Sequence, residues 1–246
     1  MRAEKKLPDR VINKQYTGYK EAVLKAVILA AGAGTRIGNQ LPKCLMELPS
    51  GKTIIGNQID ILKENGIREI VVVVGFKKDI IMEKYPDVVY KYNPFYHMTN
   101  TSKSLMMALQ SIDVGDTLWL NGDVFLESAV VDIVLSEKGN VIAVNKAKCD
   151  DEEVKYKTGS DGRIVEISKS VERAEGESVG VNKIIAESFN PFMESLGQCK
   201  DSDYFERGIE ICISKGMDFF PVDISKCKCV EIDFQEDFEK VKEFFE

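Results

Sequence analysis

The sequence has one histidine, His97, and one tryptophan, Trp119. A Ser-His-Asp or Cys-His mechanism would have to run through that single imidazole, and no G-x-S-x-G elbow accompanies it. Long apolar runs are absent: the longest, around Ile70 to Val74, has strand length, far short of the ~20 residues a membrane helix needs. Met1 to Lys20 is polar and charged and lacks the apolar segment of an export signal, so a cytoplasmic location with no membrane partner is the expectation. The six cysteines are scattered, with only Cys227 and Cys229 close together, and no second CxxC or histidine pair completes a zinc set. Reduced thiols are expected. Positive charge is in deficit, 33 basic against 40 acidic side chains, which argues against a nucleic-acid partner while leaving local basic sites open.

What is present is a globular composition. With 246 residues, 44% of them hydrophobic and 30% charged, the chain can bury a core without metals or disulfides. Strand-like runs alternate with amphipathic segments of helix length, the pattern of an α/β fold: a mostly parallel, doubly wound, Rossmann-like mixed sheet. Ala26 to Ala30, Glu69 to Val74, Val88 to Tyr92, Thr117 to Leu120 and Val141 to Ala147 read as strands. Thr53 to Asn65, Asp79 to Tyr85, Ser102 to Ser111 and Glu127 to Ser136 read as helices, the first ended by Gly66. From Val154 the segments shorten and the pattern becomes more antiparallel. Asp161-Gly162 signals a hairpin between Val154 to Thr158 and Arg163 to Ser168. Ser178 to Ile185, a helix from Asn190, a helix from Asp203 to Lys215, strands Asp218 to Val222 and Val230 to Ile232, and a helix Glu236 to Phe245 complete the expectation. Residues 1–24 stand apart as an N-terminal helical extension, in which Ile12, Tyr16, Tyr19 and Val23 recur at helical spacing. That face would pack on the single domain of residues 25–246 or on a neighbouring subunit, which leaves a homo-oligomer open.

After the first strand comes Leu29-Ala30-Ala31-Gly32-Ala33-Gly34-Thr35-Arg36-Ile37-Gly38, then Leu41-Pro42-Lys43. Glycines directly after the first strand of such a sheet leave bare backbone N–H groups where a phosphate can approach. The spacing of Gly32, Gly34 and Gly38 is one residue too long for a dinucleotide-binding G-x-G-x-x-G, and no G-K-[ST] follows to make a Walker A motif. Two cations, Arg36 and Lys43, with Pro42 breaking any helix between them, suit a triphosphate whose pyrophosphate must leave.

At these residues the chain resembles the nucleotidyltransferases that join a nucleoside triphosphate to a phosphorylated small molecule, whose signature is L-A-A-G-x-G-[ST]-R followed by P-K. The resemblance implies the nucleotide-diphospho-sugar transferase fold. It also implies that the loop wraps the triphosphate and that Arg36 and Lys43 neutralise its phosphates. Asp123, in Asn121-Gly122-Asp123, and Asp233, in Glu231-Ile232-Asp233, would hold Mg²⁺. The Gly-Thr-Ala segment of sugar-phosphate members is missing. The stretch from Asn93 to Leu105, with Asn93, Tyr96, Asn100, Ser104 and Leu105, is instead spaced as in the phosphocholine cytidylyltransferase branch, which uses CTP.

The resemblance thus implies a nucleotide site of Leu29, Ala30, Ala31, Gly32, Ala33, Gly34, Thr35, Arg36, Lys43, Gly75, Asn100, Thr101, Ser104 and Gly122. The acceptor site it implies is Asn121, Gly180, Tyr204 and Glu206. Arg36, Lys43 and Asp123 would be catalytic. The expected partners are CTP and a small phosphorylated acceptor, and pyrophosphate is released. Phosphocholine enzymes have a tryptophan shortly after the strand at Val141 to Ala147, where this chain has Lys148-Cys149-Asp150-Asp151-Glu152-Glu153; Trp119 reads as core. Phosphocholine, phosphoethanolamine, an aminoalkyl phosphonate, an amino-acid or polyol phosphate and a sugar 1-phosphate all stay open as acceptors. A sugar-1-phosphate enzyme using UTP or dTTP is the alternative within the family. A glycosyltransferase would show a D-x-D motif where this chain has Asn121-Gly122-Asp123, and a non-catalytic sensor would have no need of Arg36, Lys43 and Asp123 together.

Overall fold

β1 (Lys25–Ala30) shows no polar alternation because both its faces are covered. Ala26, Ile28 and Ala30 enter one apolar cluster, while Val27 and Leu29 enter another on the opposite face. The computed structural model describes residues 23–32, 41–147, 149 and 153–246. The expected N-terminal helix, and Ala33, Gly34, Thr35 and Arg36 of the glycine loop, lie outside the described residues.

β1 pairs in parallel with β2 (Glu69–Val74), and β3 (Val89–Tyr92) extends the sheet beyond β2 in the same direction. On its other side β1 pairs in parallel with β4 (Thr117–Asn121). A short strand, β5 (Val124–Leu126), follows β4 directly. The sheet continues from β4 through β9 (Gly176–Ile184), β6 (Val141–Asn145) and β10 (Phe220–Asp223). β9 runs antiparallel to both its neighbours, and the hairpin of β7 (Lys155–Thr158) and β8 (Ile164–Ser168) pairs onto it. The result is the expected mixed, mostly parallel α/β sheet with a more antiparallel second half.

Helices cover both faces. α1 (Ile54–Glu64), α2 (Lys78–Lys84) and α4 (Ser128–Ser136) bury their apolar stripes in the first cluster. α3 (Thr101–Leu109), α5 (Ala186–Gln198) and α6 (Phe205–Ser214) bury theirs in the second. Trp119 is fully buried in that second layer, stacked on Phe192 at 5.2 Å and edge-on to Phe205 at 5.7 Å, as a core residue. Thr53 caps α1 by accepting from the Gly56 amide, and Gly66, at φ +80°, ends it.

Two expectations need correction. α5 begins at Ala186 rather than Asn190, so Pro191, whose ring suits a helix start, lies inside it; burial of Phe189 and Phe192 holds the turn around it. The strand expected at Val230 to Ile232 does not finish the main sheet. β11 (Cys229–Glu231) pairs antiparallel with β5 in a separate ribbon. That ribbon and α7 (Gln235–Glu243) pack through Phe125, Ile232 and Val241 on Ile54 and Leu48. The strand itself is legible within a residue, but three residues carry too little pattern to say which sheet they join. Among the described residues no helix is long and apolar enough to cross a membrane.

Candidate functional site

From β1 the chain winds to β2 on one side, while β4 lies on the other, so the carboxyl ends of β1 and β4 mark a switch point of the sheet. A cavity of about 450 Å³ opens there. Leu29, Ala30 and Gly32 line it from β1, and Asn121, Gly122 and Asp123 from β4. The two strand ends meet closely: the Gly122 amide donates to the Leu29 carbonyl at 2.9 Å, and a Cβ on Gly122 would stand 2.8 Å from that oxygen. Glycine is required here by space rather than by backbone angle.

Pro42 precedes a single 3₁₀ turn, Lys43–Leu45, which places the buried Lys43 ammonium between two carboxylates. Its Nζ lies 2.5 Å from Asp233 and 3.8 Å from Asp123. Antiparallel pairing sets Glu231 opposite Val124, and the Ile232 amide donates to the Asp123 carbonyl at 3.0 Å. Glu231 and Asp233, two apart, therefore both flank Asp123. One oxygen from each of the three carboxylates lies within 4.8 Å of the others. Burial raises the Asp123 carboxyl above its ordinary range, Lys43 pulls against that shift, and Asp233 adds to it. Burial, then the charge of Asp123, pushes Glu231 well up. Burial, with like-charge repulsion added, favours the protonated forms of Asp123 and Glu231, and the three carboxyl groups crowded around one ammonium offer hard oxygen donors, a set that fits a divalent cation. Capping of α7 falls to Asp237, whose carboxylate accepts from the amides of Asp233 and Phe234; the Asp233 side chain is turned to Lys43 instead.

Two helix N-termini close the other side. Asn100 caps α3, Thr101 follows it, and the Phe205 amide donates to Thr101 Oγ1 at 3.0 Å, fastening the start of α6 to that of α3. Asn100, Thr101, Tyr204 and Glu206 all line the cavity, as does Gly180 of β9. Gly180 has φ +70°, and a Cβ there would stand 2.7 Å from Asn121 Nδ2, so the bare backbone makes room for that amide. Glu206 is buried and its Oε2 has no hydrogen-bond partner among the described residues; burial pushes its carboxyl up to about 7.

Most of the described residues expected in the site are thus brought together, and three stand behind the lining instead. Ala31 is buried in the second apolar layer. Gly75 backs the loop, where a Cβ would meet the Ala31 carbonyl at 2.5 Å. Ser104 is buried and accepts from Asn93 Nδ2 at 3.0 Å. His97 is exposed, edge-on to Tyr96, and does not line the cavity. Cys227 and Cys229 pack against the first apolar cluster. Cys44 reaches the cavity, but burial and the Asp123 charge push its thiol up to about 12, which leaves it a poor nucleophile. Sequence reasoning did not single out Glu231, Lys169 or Ser178, all of which line the cavity. For Glu231 the signal was its two-residue spacing from Asp233; for Ser178 it was the same spacing from Gly180 on β9. Nothing marked Lys169.

A family model described as the MobA-like NTP transferase domain matches residues 26–185. The bifunctional protein GlmU of Alkaliphilus oremlandii is 42% identical over 101 residues, 41% of this chain and 22% of that protein. The choline-phosphate cytidylyltransferase of Streptococcus pneumoniae is 40% identical over 87 residues, 30% of this chain and 38% of that protein. The matched stretches span well under half the length of either relative. The solved structure of CTP:phosphocholine cytidylyltransferase from Streptococcus pneumoniae superposes with a TM-score of 0.72 at 22% identity, over 91% of this chain and 99% of that one. The two share a fold.

Proposed function

The chain belongs to the MobA-like NTP transferase family; from that premise we propose that it is a nucleotidyltransferase that joins the cytidylyl group of CTP to a small phosphorylated or phosphonate acceptor. The observation that carries this reading is Lys43, buried between Asp123 and Asp233 at the switch point of the sheet. The choice of CTP is supported by the residues from Asn93 to Leu105 and by the 40% identity to a cytidylyltransferase.

In the reaction, an oxygen of the acceptor's phosphate attacks the α-phosphorus of CTP. The new P–O bond forms as the bond from that phosphorus to the bridging oxygen breaks, and pyrophosphate leaves with the electron pair. The nucleophile is already an anion, so positioning and charge neutralisation supply the catalysis and no general base is needed. That suits a cavity lined by no histidine.

Gly32, which lines the cavity, gives the triphosphate close access to bare backbone. Thr101 presents the positive end of α3. Lys43 neutralises the α-phosphate and the incoming phosphate together, and Arg36 meets the pyrophosphate. Asp123 and Asp233, with Glu231 in reach, would hold Mg²⁺, which when bound supplies a further positive charge for the phosphate oxygens. Asn121, Gly180, Tyr204 and Glu206 hold the acceptor.

The test is pyrophosphate release with Mg²⁺ and each of CTP, UTP, ATP, GTP and dTTP, against a panel of phosphate and phosphonate acceptors. A CTP-selective signal is expected. Turnover of UTP or dTTP with a sugar 1-phosphate would overturn the cytidylyl assignment and keep the enzyme class; binding of CTP with no turnover of any acceptor would favour a sensor.

A further inference from the structure

Away from Lys43, the cavity holds three buried oxygens that have no hydrogen-bond partner among the described residues: Glu206 Oε2, Ser178 Oγ and Asn121 Oδ1. Glu206 and Ser178 are 7% and 6% exposed, so water reaches neither freely. Ser178 lies two residues before Gly180 on β9, and the Asn121 amide covers Gly180, which places Ser178 and Asn121 together. The Asn121 amide nitrogen donates one of its two hydrogens to Glu231 Oε1 at 3.5 Å, while its Oδ1 is left as an unpaired acceptor. Buried polar atoms without partners are rare in native proteins, and a cluster of them in a cavity points to a ligand that completes them. Asn121 Oδ1 can only accept, whereas the Ser178 hydroxyl and a protonated Glu206 can also donate, so the ligand that completes them carries groups that do both.

The aromatic surface at this end is already engaged. Phe205 is buried and packs edge-on to Trp119. Tyr204 carries the Lys169 ammonium over its ring, 5.0 Å from the centroid. The protein thus places its own cation where an aromatic cage would receive a ligand's, and a second cation there would be repelled. Glu153 reaches the same end but is engaged by an interaction of its own.

Taking the nucleotidyltransferase reading of this cavity as given, we infer that the acceptor is a polyhydroxylated phosphate ester, held through its hydroxyls by Glu206, Ser178 and Asn121, and not an ester of an ammonium alcohol. Each hydroxyl both donates and accepts, so it meets Glu206 in either protonation state, and its own lone pairs accept from Lys169. A trimethylammonium group donates nothing and would leave all three oxygens unpaired. A primary ammonium would satisfy the oxygens but compete with Lys169 for the Tyr204 face and the Glu206 charge.

The experiment pairs calorimetric binding of acceptors without nucleotide with pyrophosphate release in the presence of CTP. The probes are glycerol 3-phosphate, inositol 1-phosphate, phosphoethanolamine and phosphocholine. At least one polyol phosphate should bind, and should exceed phosphocholine in binding or kcat/KM by about ten-thousandfold, the scale on which sites built for hydroxyls reject ligands without them. Glu206→Gln and Ser178→Ala should each raise the KM of the polyol phosphate more than that of CTP, and Lys169→Ala should narrow the gap to phosphoethanolamine. Phosphocholine or phosphoethanolamine equal to or better than both polyol phosphates overturns the inference, as does the absence of polyol binding. Polyol binding without pyrophosphate release from CTP supports the inference and removes the cytidylyl reading instead.

Discussion

The two ends of the cavity are finished to different degrees. Around Lys43, opposite charges already face one another, with Asp233 at 2.5 Å and Asp123 at 3.8 Å. Around Glu206, three buried oxygens have no hydrogen-bond partner among the described residues. An end that must present charge to a reaction can be assembled in advance, because its groups neutralise each other until the phosphates arrive. An end that must recognise one molecule among similar ones gains from staying unsatisfied, since only the right ligand pairs its groups. The largest expected effect tests the first end. Lys43→Ala should lower the rate of pyrophosphate release by about a hundredfold or more, as loss of a charge-stabilising group does. Asp123→Asn should act in the same direction, and should also abolish any rise in melting temperature that Mg²⁺ gives the unaltered protein. If Lys43→Ala keeps nearly full activity, the assembled end is not the catalytic one.

At the other end the cost of an unsatisfied carboxylate should be measurable as a pH dependence. Burial raises the Glu206 carboxyl from 4.5 to about 7. The folded state therefore holds this proton more tightly than the unfolded chain. Its penalty is absent below pH 4.5, grows as pH rises, and is complete above about 7, at a ceiling of about 3 kcal/mol. Glu206→Gln should match the unaltered protein in chemical denaturation near pH 4 and exceed it at pH 8. Equal stability at pH 8 would mean that Glu206 is solvated or paired, and the contrast between the two ends would collapse.

The same contrast decides what could be read from sequence. Strands buried on both faces, such as Glu69–Val74, are legible because nothing polar interrupts them. Lys43, Asp123 and Asp233 are legible because each follows a local motif at the end of a recognisable element. Glu231 is less so: it reaches Asp123 through the pairing of two three-residue strands, and β5 left no pattern to find. Lys169 and Ser178 depend on how the β7–β8 hairpin and the left-handed turn at Gly180 shape one wall of the cavity. Charge pairs near motifs can be seen in one dimension, whereas an unpaired buried atom exists only once the fold has closed around it.

A smaller effect is expected where that wall is shaped. Gly180→Ala places a Cβ 2.7 Å from Asn121 Nδ2 at φ +70°, a conformation that costs an L-residue about 1–2 kcal/mol. Thermal denaturation should show that loss. Because the displaced side chain is Asn121, the KM of the acceptor should rise more than that of CTP; an unchanged acceptor KM would remove Asn121 from the recognition end.

The smallest effect separates two roles of Asn100. Its Oδ1 accepts from the Thr101 amide at 2.8 Å as the cap of α3, and its Nδ2 donates to the Ser202 carbonyl at 3.3 Å. Asn100→Ala removes the cap and should cost about 1 kcal/mol in denaturation. Asn100→Asp keeps a capping oxygen, loses only the long, exposed bond to Ser202 and should cost less than the alanine variant, yet it sets a negative charge on the cavity wall. If the triphosphate lies against this helix start, Asn100→Asp should raise the KM for CTP severalfold, and added salt should weaken the effect through screening. If Asn100 only caps, the alanine variant will be the worse of the two in every assay, because the lost cap is then the whole of its contribution.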